Sequence, residues 1–259
     1  MIKVSPTIEL DENGFGNINN NVISLLLISV EDFFKRIGVE SSKRVRIIYH
    51  TEGPMCCATQ NIDQHLILLN TGGNQWCQWI YQFAHEYCHH LIDGGLLGGI
   101  EGLKWFEESV CHVASYACLD NFERICANNS SLEMNVPGVI VYLRNYLSEG
   151  GGALYDLYMP DNLNPLRREL IPQEKIKPLK PYIESRMGVL TKDYSTLDYK
   201  TIARGLFPHF YNNENLWRIL LYMGDTKSQK SLQNMLDCLL NSADDDYRDS
   251  LIRMIMCLT

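Results

Sequence analysis

Residues 81–90, YQFAHEYCHH, constrain the fold more than any other part of the sequence. They contain the pattern H-E-x-x-H, formed by His85, Glu86 and His89. Residues four apart lie on one face of an α-helix, so a helix here would direct both imidazoles at one metal ion. The pattern therefore predicts a helix, together with a second element that supplies a further ligand.

The chemistry of these residue types indicates zinc. Two imidazoles and a carboxylate suit Zn²⁺ and leave a fourth position open for water, whose pKa the ion lowers toward about 7. Glu86 lies one position round the helix from His85, where it can take a proton from that water as a general base. The residues thus predict one zinc ion per chain, bound by His85 and His89, with Glu86 as the catalytic residue.

The third ligand is expected on the next helix, which carries KWFEESVCH at residues 104–112. Glu108 is separated from His89 by residues 90–107, and a Gly-rich connection at 94–102 lies between the two helices. Two antiparallel helices so joined would bring Glu108 back against the histidines, so Glu108 is predicted as the third metal ligand. Other nearby carboxylates are rival ligands or a helix cap: Glu101, Glu107 and Asp93.

Hydrophobic periodicity predicts an α+β lobe followed by a mostly helical one. The expected N-terminal elements are helices at 20–38, 74–93 (capped by Asn74) and 103–121, and strands at 44–49 and 65–70. Glycines and prolines between 148 and 181 predict an irregular stretch with short helices. Helices are expected again at 215–223, 231–241 and 245–258. The predicted domains are an N-terminal lobe, 1–135, and a C-terminal lobe, 136–259.

Composition excludes several classes of protein. The net charge is −8 and no Lys/Arg cluster offsets it, so a nucleic-acid partner is not expected. The most apolar early run, residues 22–30, is too short to cross a bilayer, and the N-terminus does not resemble a secretory signal. The nine cysteines form no C-x-x-C pattern. Reduced thiols in a cytoplasmic protein are therefore expected.

The motif and its spacing resemble the gluzincin metallopeptidases, in their M1 aminopeptidase-like and thermolysin-like branches. The matching residues are His85, Glu86 and His89, followed by Trp105-Phe106-Glu107-Glu108. The resemblance covers roughly residues 45–120. It implies zinc bound by His85, His89 and Glu108, Glu86 as catalytic base, and a small mixed sheet packed on the active-site helix. It also implies a peptide or protein substrate.

Some positions depart from the pattern of that group. The Gly-x-Met-Glu-Asn stretch that holds a substrate amine in the aminopeptidase branch corresponds here to GPMCC at 53–57, so aminopeptidase action is not implied. An Asp that often follows the third ligand by four residues is replaced by His112, which is either a partner of a ligand or a core residue. The group's transition-state-stabilising Tyr or His comes from the C-terminal lobe, where the candidates are Tyr155, Tyr158, Tyr182, Tyr194, Tyr199, His209 and Tyr211.

The sequence thus predicts a zinc-dependent metallopeptidase. The alternatives are an inactive peptidase-like binding or regulatory protein and a metal-dependent amidase. The strand at 65–70 is either an edge strand that pairs with an extended peptide or an ordinary strand of the sheet. The remaining histidines and Cys88 are expected to be structural: His50, His65, His90 and His209.

Overall fold

The computed structural model describes residues 1–59, 61–73, 75–92, 103–128, 170–192, 196–224, 229 and 231–259. Within these ranges the chain is α+β, with one mixed sheet in the N-terminal part and only helices after residue 170. The predicted fold class is confirmed. None of the helices in these ranges combines the length and apolarity that a membrane span requires.

The sheet has five strands. They are β1 (Ile2–Lys3), β2 (Ile8–Leu10), β3 (Arg44–Tyr49), β4 (Met55–Ala58) and β5 (Gln64–Leu69). Their order is β1-β2-β3-β5-β4. The three inner strands run parallel, whereas β1 and β4 run antiparallel to their neighbours. Val45, Ile47, Ile67 and Leu69 are fully buried, because alternate residues of the two longest strands face the core.

The edge of the sheet near the H-E-x-x-H helix is β4. Of the two interpretations of residues 65–70, the ordinary strand is confirmed and the edge strand is wrong, because β5 lies between β3 and β4. Strand β4 reads Met-Cys-Cys-Ala, with neither β-branched residues nor alternation of apolar and polar side chains. It pairs with β5 from Met55 opposite Leu68 to Ala58 opposite His65. This backbone pairing, rather than local propensity, makes it a strand.

The described ranges contain eight α-helices. They are α1 (Asn20–Arg36), α2 (Trp76–Leu91), α3 (Lys104–Asn128), α4 (Lys180–Leu190), α5 (Thr196–Asn212), α6 (Leu220–Met223), α7 (Leu232–Ser242) and α8 (Asp245–Leu258), as described in these ranges. Two 3₁₀ helices occur at Gln173–Lys175 and Glu214–Ile219. The second occupies most of a stretch predicted as α-helix.

The described end of the stretch predicted as irregular with short helices, residues 170–181, contains a 3₁₀ helix and the start of α4, as expected. Helix α4 starts with a proline in its first turn, where the missing N–H costs no hydrogen bond. Farther along the chain, helix α5 continues through Pro208. The expected turn at 137–138, the short helix at 139–147 and the boundary at 135/136 lie outside the described residues.

Helix α3 is the centre of the molecule. Every side chain from Trp105 to Glu123 is buried, so the helix is covered on all sides. It packs against α1, α2 and α5, and the apolar core continues from the sheet into the C-terminal helices. The helix predicted to carry the third ligand is therefore held by both parts of the chain.

Candidate metal centre

Helices α2 and α3 lie side by side and run in opposite directions. Tyr81 contacts His112, and His89 contacts Glu107, so the order of contacts along one helix is reversed along the other. The Ser115 hydroxyl donates to the Tyr81 carbonyl over 2.8 Å, which holds the two backbones close. The expected antiparallel pair is thus present, and it turns its polar side chains toward one another.

The predicted ligand side chains meet between these helices. The distance from Glu108 Oε2 to His85 Nε2 is 3.2 Å, and to His89 Nε2 it is 3.8 Å. All three side chains are buried. Their donor atoms have the mutual spacing expected around an ion with bonds of about 2 Å.

A buried thiol also belongs to this cluster. The ligand atoms of His85, His89 and Cys111 lie within 4.8 Å of one another, so this group could hold a metal ion. Cys111 was not singled out from the sequence, although it follows Glu108 by one helical turn and so shares its face. Burial, and then the neighbouring Cys88 thiol, raise the pKa of Cys111 well above its ordinary value.

Glu86 lies on the sheet side of the cluster. Helix α2 packs against β4, and the backbone N–H of Cys56 in that strand acts on the Glu86 carboxylate. Burial raises the pKa of Glu86, while the charges of His85 and His89 act in the opposite direction. The carboxyl group therefore has a raised proton affinity beside an edge strand, as suits a proton acceptor.

His89 is held from both of its nitrogens. Its Nδ1 lies 2.6 Å from Glu107 Oε1, on the side away from Glu108. Burial alone would lower the pKa of His89, but the hydrogen bond to Glu107 and the Glu108 carboxylate 3.8 Å away raise it well above the usual value. Glu107, predicted as a rival ligand, here orients the ring of His89, as carboxylates behind metal-bound histidines do.

His112 lies against His85. The ring centroids are 4.5 Å apart, and His112 Nδ1 is 2.9 Å from the hydroxyl of Tyr81. Two buried nitrogens, His85 Nδ1 and His112 Nε2, have no hydrogen-bond partner among the described residues. Burial, and then the charge of His85, lower the pKa of His112 to about 2, so its ring is neutral. A neutral imidazole can accept a hydrogen bond from His85.

The other candidate residues are placed elsewhere. His65 Nδ1 and His90 Nδ1 are 2.8 Å apart in a buried pair, and Cys88 is fully buried. Tyr182 donates a hydrogen bond to Asp198, and His209 lines a cavity of about 400 Å³ in the C-terminal part. Tyr199 and Tyr211 are buried. Several predicted residues lie outside the described ranges: Asn74, Asp93, Glu101, Tyr155, Tyr158 and Tyr194.

No protein-family model matches the chain. No curated protein and no solved structure matches it either. The chemistry open to the site follows from its own side chains. These are two imidazoles, a carboxylate that reaches both, and a second buried carboxylate beside an edge strand.

Proposed function

We propose that the protein is a zinc-dependent metallopeptidase that hydrolyses peptide bonds. One observation carries the proposal. Glu108 Oε2 lies 3.2 and 3.8 Å from the Nε2 atoms of His85 and His89, while Glu86 occupies the adjacent position on the same helix. In this arrangement three groups can bind the metal ion while Glu86 stays free to accept a proton, as metal-assisted hydrolysis requires.

Glu108 is the better third ligand on geometric grounds. Its Oε2 atom lies near the Nε2 atoms of both histidines, and in His89 this is the nitrogen left available because Glu107 holds Nδ1. Two imidazoles and one carboxylate form a set that favours zinc and leaves a position open. Cys111 also lies within 4.8 Å of the two imidazoles, but its thiol has a pKa well above its ordinary value, so the thiolate needed for binding is disfavoured.

The chain's own groups supply the proton transfers. Zinc, when bound, would polarise the scissile carbonyl and lower the pKa of a water molecule to about 7. Glu86 takes a proton from the attacking water, and its burial keeps that proton available for the next step. Glu86 then gives the proton to the leaving amine.

Strand β4 is the proposed binding edge for the substrate. It lies at the end of the sheet, and no strand of the described ranges pairs with its outer side. An extended peptide can add to such an edge through backbone hydrogen bonds. Because α2 packs against β4, the added peptide would pass beside Glu86. A strand-like binding mode accepts the middle of a peptide, which favours endopeptidase action.

The thiols favour a reducing compartment. All nine cysteines are free. We therefore place the enzyme in the cytoplasm, where thiols are kept reduced.

Metal content tests the ligand set. Inductively coupled plasma mass spectrometry on tag-free protein is expected to find about one zinc per chain. Glu108→Ala should lose the metal, whereas Cys111→Ala should keep it. Zinc that is absent from the wild type even after reconstitution would refute the proposed centre.

Turnover tests the role of Glu86. The zinc-loaded wild type is expected to cleave members of a quenched-fluorescence peptide library, and Glu86→Gln should retain zinc but lose cleavage at least about a hundredfold. Glu184→Gln, at an exposed carboxylate on α4, is the matched control and should cleave normally. Cleavage by Glu86→Gln at the wild-type rate would contradict the mechanism.

A second candidate function rests on the buried thiol. The group His85, His89 and Cys111 could hold a metal ion in a purely structural role, as expected of a binding or regulatory protein. The same metal analysis separates the two functions. A structural site of this kind would lose its metal in Cys111→Ala and keep it in Glu108→Ala.

A further inference from the structure

Two cations on α5 form no ion pair within the part of the chain that the structure describes. Lys200 and Arg204 lie one turn apart, and both are half-buried. Neither forms an ion pair with any residue in the described ranges, whereas Asp198 on the same helix is held by Arg186 at 2.9 Å. A partly buried cation is stabilised by an anionic group nearby, so a carboxylate that reaches these two side chains would be bound there.

The two cations lie close to the metal centre. The Lys200 ammonium is 5.6 Å from the centroid of the Tyr81 ring. The Tyr81 hydroxyl is 2.9 Å from His112, whose ring is 4.5 Å from that of His85. Lys200 is thus separated from a proposed ligand by two side chains. Its charge also contributes to the lowered pKa of His112, after burial and His85.

Hydrogen-bonding side chains surround the same place. Arg204 Nε is buried without a hydrogen-bond partner among the described residues, while the hydroxyl of Tyr116 is within reach of both Arg204 and Tyr81. The Tyr116 ring is 6.0 Å from that of Tyr81. Burial raises the pKa of Tyr116, and the charge of Arg204 acts against this, so the two side chains are neighbours. A guanidinium and a hydroxyl are donors that fit a carboxylate.

The overall charge of the protein does not explain an attraction for anions. The chain carries a net charge of −8, so its long-range field repels acidic ligands. An anion would be bound here only through local contacts with these two side chains. Such contacts favour a carboxylate that lies within reach of Lys200 and Arg204, and they do not attract anions in general.

We propose that Lys200 and Arg204 bind a carboxylate of the substrate beside the metal centre. The preferred substrates are then peptides with an acidic side chain, or a free C-terminal carboxylate, close to the scissile bond. This inference rests on the proposed peptidase function. It adds a specificity-determining pair that the H-E-x-x-H motif does not contain.

Matched peptides test the pair. A cleaved library peptide is resynthesised with Glu or Gln at each position near the cut, and with a free or amidated C-terminus. The wild type should cleave one carboxylate-bearing member about tenfold better in kcat/KM than its neutral counterpart, mainly through KM. Preference for Glu over Gln identifies a side chain, and preference for the free acid over the amide identifies the C-terminus. Equal cleavage of every pair overturns the inference and leaves the peptidase proposal intact.

Variants assign the preference to the two cations. Lys200→Met and Arg204→Met keep most of the apolar stem, and each should bring the ratio between the charged and neutral peptides to about one. Lys192→Met removes an exposed cation elsewhere and should keep the preference. A ratio unchanged in both α5 variants overturns the assignment.

A binding measurement separates this inference from the peptidase proposal. N-acetylglutamate and N-acetylglutamine are titrated calorimetrically into the full-length zinc-treated protein and into both α5 variants. If no peptide is cleaved but N-acetylglutamate binds and needs both cations, the carboxylate site stands and the peptidase function fails. If N-acetylglutamate binds no better than N-acetylglutamine and no peptide shows a preference, the carboxylate site is refuted.

Discussion

At the scale of single residues, the centre depends on how His89 is held. The imidazole lies between Glu107, at 2.6 Å from Nδ1, and Glu108, at 3.8 Å from Nε2. In the metal-free protein the Glu107 hydrogen bond and the nearby Glu108 carboxylate raise the pKa of His89, while His85 and then His89 lower the pKa of Glu108 despite its burial. A metal ion therefore competes with a proton for the same nitrogen.

Glu107→Gln should weaken zinc binding without removing a ligand. The Gln amide keeps the shape of the Glu107 side chain, but it lacks the negative charge that makes the His89 imidazole a stronger metal ligand. Zinc affinity, measured by competition with a chelating dye, should fall about 10- to 100-fold. Glu184→Gln, on the surface of α4, is the control and should bind zinc as the wild type does. Unchanged affinity in Glu107→Gln would show that Glu107 does not orient the ligand.

The metal-free protein should lose stability as pH rises above about 6.5. His89 has a folded-state pKa well above its ordinary value of 6.5. Its contribution is therefore complete below pH 6.5 and is lost as pH rises through the folded-state pKa, at no more than about 1.4 kcal/mol per pH unit. Urea unfolding of chelator-treated protein between pH 6 and 9 measures this loss.

His89→Gln is the control for that measurement, because it removes the titrating group. Its stability should change less over the same range, and the difference between the two proteins isolates His89. Zinc affinity should show the opposite trend and rise with pH, since the bound proton must leave. A wild-type pH profile that matches that of His89→Gln would contradict the pKa shift.

At the scale of elements, the antiparallel pair α2 and α3 carries the candidate site, and α5 packs against α3. Gly205 of α5 lies against Leu179, just before α4. A Cβ built on Gly205 would come 2.4 Å from Leu179 Cδ2, so no larger side chain fits without movement. The absence of a side chain here lets α5 approach closely, and α5 carries Lys200 and Arg204.

Gly205→Ala should destabilise the protein by about 1–3 kcal/mol, because it overpacks a buried contact. Gly188→Ala, in α4, is the matched control, since a Cβ there meets nothing within 4 Å. It should stabilise the protein by about 0.5–1 kcal/mol through helix propensity. Urea midpoints of the two variants measure the difference. Equal shifts in the same direction would show that the α4–α5 contact is looser than described.

Periodicity predicted the long elements and missed the short ones. Strand β3 and helix α8 have the predicted bounds, because each has a clear apolar pattern. Strands β1, β2 and β4 contain two to four residues, too few for alternation to be seen. Motif spacing likewise predicted that the side chains of His85, His89 and Glu108 lie close together. Lys200 was missed, since its position beside Tyr81 depends on packing between helices distant in sequence.

At the scale of the whole molecule, one aromatic cluster joins the two parts of the chain. Trp217, after α5, packs against Phe33 and Phe34 of α1 and Phe210 of α5, with centroid distances of 4.4 to 5.9 Å. The indole is 1% exposed. The N-terminal and C-terminal parts therefore share one core, and unfolding of one should expose the other.

Trp217→Ala should cost about 3–5 kcal/mol of stability, as expected when a large side chain is removed from a core. Trp76→Ala, at a partly buried residue at the start of α2, should cost less. Urea unfolding followed by far-ultraviolet circular dichroism measures both, and the wild type should unfold in one transition. Two separate transitions in the wild type would show that the two parts fold independently.

The burial of α3 has a consequence for how the protein acquires its metal during synthesis. All four proposed site residues have left the ribosome soon after Glu108 emerges, but one side of α3 is still uncovered because α5 is made later. A helix that lacks one of its packing neighbours holds its side chains less firmly than the complete core does. We therefore expect metal loading to follow translation of residue 212. A chain that stops before α5 would contain every ligand and still lack a centre.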